Sequence, residues 1–286
     1  MAIKRSLDAG TAAKLLRIGC RSASLVRLKR ENSTVWRVLL LLVIMVLFSG
    51  ASAVDRRVSL GEVSTALARS SPANPANFEG LDLSYLDLSG LDFRRANLRG
   101  ANLYGADLSD CDLSHADLSH ADLDHALIIR TNFTGADLSD VSMYAAVTTS
   151  SLQISGREAP ILAGANLEGA RIVARLSQAN LSGANLKGVQ MGADRRLLRT
   201  NLFNDLSGSD LTAADLSHAD LREVRLAFAR LVGAKLLGAN LAHSDLFHAD
   251  LTAADLTGAD LSDANMAQAI LKDTRGLGRR VQSGAN

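Results

Sequence analysis

Aromatic residues are only 4% of this chain, and it has one tryptophan and three prolines. An ordinary globular core relies on more large rings than that, so the 47% of hydrophobic residues must pack chiefly as leucine and alanine. Cysteine is equally scarce. Cys20 and Cys111 are the only two, and losing the N-terminal segment would leave Cys111 alone, which excludes an intramolecular disulfide. The sequence also lacks a nucleophile elbow, a phosphate-binding loop and a paired-cysteine motif. These absences argue against an enzyme and leave no cofactor or metal to assign.

The net charge of +1 conceals a segregation. Residues 1–37 sum to +7, 76–145 to −8, 146–203 to +4 and 204–273 to −6. The first segment reads as an address. A basic stretch ends at Arg37, and Val38–Phe48 is an unbroken apolar run followed by Ala51-Ser52-Ala53. Short apolar core and small residues together match a secretory signal cut after Ala53. Residues 1–53 are therefore expected to be a targeting segment. The alternative is an uncleaved anchor reaching Val54, with Lys29, Arg30 and Arg37 kept in the cytoplasm. Membrane contact is expected only in that case. Export to a bacterial periplasm is the expected fate, and a thylakoid-lumen address the other possibility.

What is abundant is a repeat. "CDLSHADLSHADLDHAL", residues 111–127, restates itself every five residues, which is the period of neither a helix nor a strand. Within one unit, Ala and Leu lie two apart and share a side of an extended chain, while Asp and Ser face the other way. The next Ala follows Leu by three, an odd step. Only a chain that turns once per unit keeps every Ala and Leu inside. The central residues run at every fifth position from Phe78 to Met143 and again from Leu206 to Leu271. Between these runs the period survives at Leu162, Leu167 and Ile172, slips by one at Leu176, and breaks near Leu197.

"ANLRGANLYGADLSD" and "ADLTAADLTGADLSD" resemble the pentapeptide repeat family, whose consensus is A-[D/N]-L-x-x. The resemblance implies an all-β fold, a right-handed quadrilateral parallel β-helix in which four units make one coil, and solenoid stacking of one coil on the next. The expected organisation is a cap over 54–75, a first run over 76–145, a loop over 146–161, a second run over 162–273 with a loop near 192–200, and a disordered tail over 274–286. Ser59 and Glu62 form a capping-box pattern, so a short N-terminal helix is expected to cover the first coil.

Residues twenty apart should then stack. His115, His120 and His125 would occupy successive corners and diverge, which argues against a shared metal. Asp87 would stack on Asp107 and Asp92 on Asp112, with no cation expected to relieve them. In the second run Arg225, Arg230 and Lys235 would each lie between two aspartates, and electrostatic relief is the favoured reading. Arg195, Arg196 and Arg199 make the second loop basic. Together with the four stacked aspartates, those arginines are the candidate interaction residues. The expected function is an exported, non-enzymatic scaffold presenting a rigid polar surface to an unknown protein partner, with no direct nucleic-acid binding. Some members of the family imitate duplex DNA and bind gyrase, and the acidic rod makes that the alternative.

Overall fold

The computed structural model describes residues 58–149, 157–192 and 203–277. Each five-residue unit bends in the same way. Ala121 N–H donates to Leu118 C=O at 2.9 Å, closing a four-residue turn. His120, third in that turn, has φ +60°. A positive φ at the third position alone defines a type II turn. Gly80, Gly90 and Gly100 fill the same place in other units. Glycine enters the left-handed region freely, and Asp and His are among the residues that tolerate it best.

The aspartate has a local task. Asp117 Oδ1 accepts the Ser119 N–H at 2.9 Å and its hydroxyl at 2.6 Å. The same bond to the residue two ahead recurs at Asp82, Asp107, Asp137 and Asp210. An Asp or Asn at this point stabilises a turn by capping its free N–H. The remaining N–H groups reach neighbouring coils. Leu118 donates to Asp137, His120 to Ser139 and Asp122 to Ala101. All the main-chain donors of a unit are thereby satisfied.

Four columns of parallel bridges result, starting at Asn77, Asp82, Asp87 and Asp92. The first climbs through Asn97, Asp117, Asp137, Asn166, Asn185, Asp215, Lys235 and Asp255 to Arg275. Nine steps at about 4.8 Å make a ladder roughly 43 Å long. It reaches two residues past Asp273, into the span expected to be tail. Inside, large and small residues alternate, chiefly Leu and Ala, and the inward side chains from Leu98 to Leu138 and from Leu206 to Leu256 are almost wholly buried. Phe78 and Phe93 meet edge to face at 5.6 Å in the first coil.

The interruptions leave this file intact. Asn132 pairs with Ile161, twenty-nine residues on, and Asn180 with Asp210, thirty on. Between them Ile161 pairs with Asn180 at nineteen, the one-residue slip before Leu176. Here the ladder widens into two regular strands, β1 (Ser142–Ala146) and β2 (Arg171–Ala174), parallel and bulged at Tyr144/Ala146. At the second interruption Asn204 closes the gap. Its side-chain oxygen accepts Ala174 N–H at 2.9 Å and its amide donates to Met191 C=O.

Helix α1 (Leu60–Ala68) stands at the N-terminal end. Its capping box is formed: Glu62 accepts the Ser59 N–H at 2.9 Å, and Ser59 Oγ accepts that of Glu62. Val63 is fully buried, and Val58 N–H donates to Asp82 C=O, so chain and helix cover the first coil's edge. Val38–Phe48 lies outside the described residues. Among those described, no helix is long and apolar enough to cross a membrane.

Candidate functional site

The outward columns carry the chain's polar chemistry. Asp87 bridges to Asp107 and Asp92 to Asp112, as twenty-residue stacking requires. The two pairs sit on adjacent sides of the square, five residues apart, and do not converge. One expectation fails here: the second pair has a cation. Arg94 Nη2 lies 2.6 Å from Asp92 Oδ2, and its Nε reaches Asp112 at 3.9 Å. Arg94 is two residues from Asp92 on the same side, so a rule that looks twenty residues away passes over it. Amides give further relief, as where Asn132 donates to Asp112 at 3.1 Å. Asp87 and Asp107 have no Lys or Arg within ion-pair distance among the described residues. Arg195, Arg196 and Arg199 lie outside the described residues.

In the second run the stacking of Arg225, Arg230 and Lys235 between aspartates is present. Arg230 approaches Asp210 at 3.9 Å and Lys235 approaches Asp215 at 3.6 Å. Arg225 does otherwise. Its guanidinium lies 4.0 Å from the centroid of the Phe203 ring, which Arg175 also overlies at 4.6 Å. Phe203 marks the chain's return from the second interruption, so these two arginines hold that point by cation–π contact.

Aromatic rings stand at two corners without following the five-residue period. Tyr85, Tyr104, His125 and Tyr144 form a ladder up one edge, with centroids 5.4, 5.1 and 5.6 Å apart. Tyr85 is 68% exposed. Its ring lies over Gly105, where a Cβ would meet Cδ1 and Cε1 at 2.9 Å. The Tyr104 hydroxyl is pushed above its ordinary pKa, first by desolvation, then by Tyr85, Asp124 and Asp122. A second cluster joins Phe228, Phe247 and His248, with Phe228 and His248 stacked at 5.1 Å.

Among the described residues the one thiol is not activated as a nucleophile. Cys111 occupies an Ala position in the core and donates to Leu88 C=O at 3.0 Å. Burial pushes its thiol up to about 12. His115, His120 and His125 take the third place of successive turns, on different corners.

The pentapeptide repeat family model matches in eight copies, over residues 76–114, 106–144, 161–192, 205–238 and 234–273. Among solved structures, the chain is similar to HetL, a pentapeptide repeat protein involved in heterocyst differentiation regulation from the cyanobacterium Nostoc sp. strain PCC 7120. They share 31% identity over 77% of this chain and 95% of that one, with a TM-score of 0.41. QnrB1, a plasmid-mediated fluoroquinolone resistance protein, is 19% identical over 71% of this chain and 89% of that chain, with a TM-score of 0.33. A pentapeptide repeat protein from the thylakoid lumen of Arabidopsis thaliana is 25% identical over 49% of this chain and 90% of its own, with a TM-score of 0.25. No match is found among curated proteins. Period, turn, bridge columns and family model agree, and the chain belongs to the pentapeptide repeat family, with its right-handed quadrilateral β-helix.

Proposed function

We propose that this protein is an exported, non-enzymatic scaffold that holds a fixed pattern of side chains toward a protein partner. The observation that carries the reading is the first run's outer surface. The column aspartates there, Asp82, Asp87, Asp92, Asp107, Asp112, Asp117, Asp122 and Asp137, each accept an N–H from their own turn, and their place is set by a filled core that cannot rearrange locally. Such a surface loses little conformational entropy on binding. Export is supported by the apolar run Val38–Phe48 before Ala51-Ser52-Ala53, and a periplasmic location follows from it. The lumenal residence of the Arabidopsis neighbour makes a thylakoid lumen the other compartment to test.

A photo-crosslinking residue placed at Asp87, Asp107 or Asp112 in the full chain tests the reading. One protein cross-linked reproducibly from the exported fraction, at some of these positions and not others, is the expected result. No adduct at any position overturns the scaffold reading. An adduct with gyrase in the cytoplasmic fraction replaces it with DNA mimicry.

A further inference from the structure

The two aromatic corners differ in their electrical surroundings. Phe228 is flanked by Arg225 and Arg230, which stand between Asp205 and Asp245 and between Asp210 and Asp250, so cations and carboxylates are mixed at that corner. The tyrosine ladder is flanked by Asp82, Asp122 and Asp124 on one side of the square and by Asp87 and Asp107 on the other. The fold requires leucine and alanine inside and a turn-tolerant residue at the corner; it does not require four outward rings in succession, Tyr85 and His125 exposed and Tyr104 and Tyr144 half-buried. The three tyrosine rings, with negative faces and set among carboxylates, favour a cation on both counts.

The turns leave acceptors for one. In Asp87, Asp107 and Asp122 the turn bonds are made by Oδ1, and Oδ2 is the oxygen a ligand would take. Arginine suits this pairing better than lysine. Its planar guanidinium stacks on a ring while donating in plane to a carboxylate. The ladder spans three coil steps, about 14 Å, or roughly four residues of extended chain. Side chains two apart share a face, so an extended strand along the corner directs two of them at the rings.

We propose that the Tyr85–Tyr104–His125–Tyr144 corner binds an extended peptide segment carrying arginine at alternate positions. This rests on the scaffold reading and names the chemistry of the partner. The charge of the neighbouring aspartates draws the segment in, and the rings select arginine over other cations.

The test titrates the full chain with acetyl-Gly-Arg-Gly-Arg-Gly-amide, and with its lysine and citrulline counterparts, by calorimetry. The arginine peptide is expected to bind tightest and the neutral, isosteric citrulline peptide weakest. Tyr85→Leu should weaken the arginine peptide about threefold, and the double variant with Tyr104→Leu about tenfold. Phe228→Leu, on the other corner, should change nothing. Asp87→Asn with Asp107→Asn should weaken binding and flatten its salt dependence. Because Tyr85 is largely exposed, its single variant folds and decides the matter should the double one fail. Equal binding of citrulline and arginine peptides, equal binding of lysine and arginine peptides, or unchanged affinity in Tyr85→Leu overturns the proposal. The scaffold reading survives those results as long as a partner cross-links elsewhere on the rod.

Discussion

The ring of Tyr85 rests on Gly105, one coil further along. Gly105 has φ +62°, and Gly100 has φ +60° with open space where a Cβ would stand. Gly100→Ala should therefore cost only the left-handed backbone, about 1–2 kcal/mol in urea unfolding. Gly105→Ala should cost that and also displace the ring, altering the tyrosine fluorescence. Equal spectra for the two variants would show that the ring does not depend on this seat.

Asn204 supports two buried main-chain groups at once. Asn204→Ala should leave both without a partner, at roughly 1–3 kcal/mol each. Asn204→Asp keeps the acceptor for Ala174 but sets a buried carboxylate oxygen against the Met191 carbonyl, so it should cost at least as much as alanine. Urea midpoints of the three proteins give the order, and an Ala variant as stable as the parent would remove Asn204 from the closure.

Arg230→Asp and Lys235→Asp each set a third carboxylate in an acidic column. The cations of both pairs are exposed although Asp215 is half-buried, so each change should cost about 1 kcal/mol in low salt and less in high salt. Arg225→Asp should behave differently, because its guanidinium lies on Phe203. Part of its loss should persist at high salt. Uniform recovery of all three by salt would argue that the ring contact contributes nothing.

Acid should weaken the rod. Hydrogen bonds from the side chain and then the backbone of Ser89, Thr257 and Ser262 hold Asp87, Asp255 and Asp260 below the ordinary carboxylate range. Arg130 does the same for Asp110, and Arg222 for Asp220. A carboxylate whose pKa is lowered on folding stabilises the fold above its unfolded value near 3.9, and that contribution fades as pH falls through the folded value. Stability should be level from about pH 7 to 5 and decline below about 4. Relief of stacked carboxylates would act the opposite way, so a rise in urea midpoint on acidification would show that repulsion outweighs the turn bonds.

Cys111 should report unfolding. With its thiol pushed up to about 12, it should resist iodoacetamide at pH 8 in a Cys20→Ser background and react once urea opens the core. Modification under native conditions would mean that the coil around Leu88 opens locally.

Period five made the fold legible, because the odd step from Leu to the next Ala admits no straight strand. The same counting placed Asp87 on Asp107 and Arg230 on Asp210. It could not find the tyrosine ladder. Tyr85 and Tyr104 are nineteen apart and Tyr104 and His125 twenty-one, since the rings alternate between the second and third places of their turns. A ring is wide enough to span that offset, whereas a column rule built on main-chain register is not. Arg94 escaped for a related reason, because its long side chain reaches Asp112 from the coil below. Asn204 joins residues 174 and 191 across an interruption and has no periodic signature at all.

The bridge spacings of twenty, twenty-nine, nineteen and thirty have a consequence for what this molecule tolerates. Its register is counted in sides of a square, and residues enter the count only when they form a side. Length added at a corner is invisible to the core provided the chain returns facing the same way. An extra residue within a side, between the small residue and the leucine that share its inner face, would instead turn one of that pair outward. Insertions of very different size should therefore be accepted between Val147 and Ile161, while a single extra residue between Ala234 and Leu236 should not.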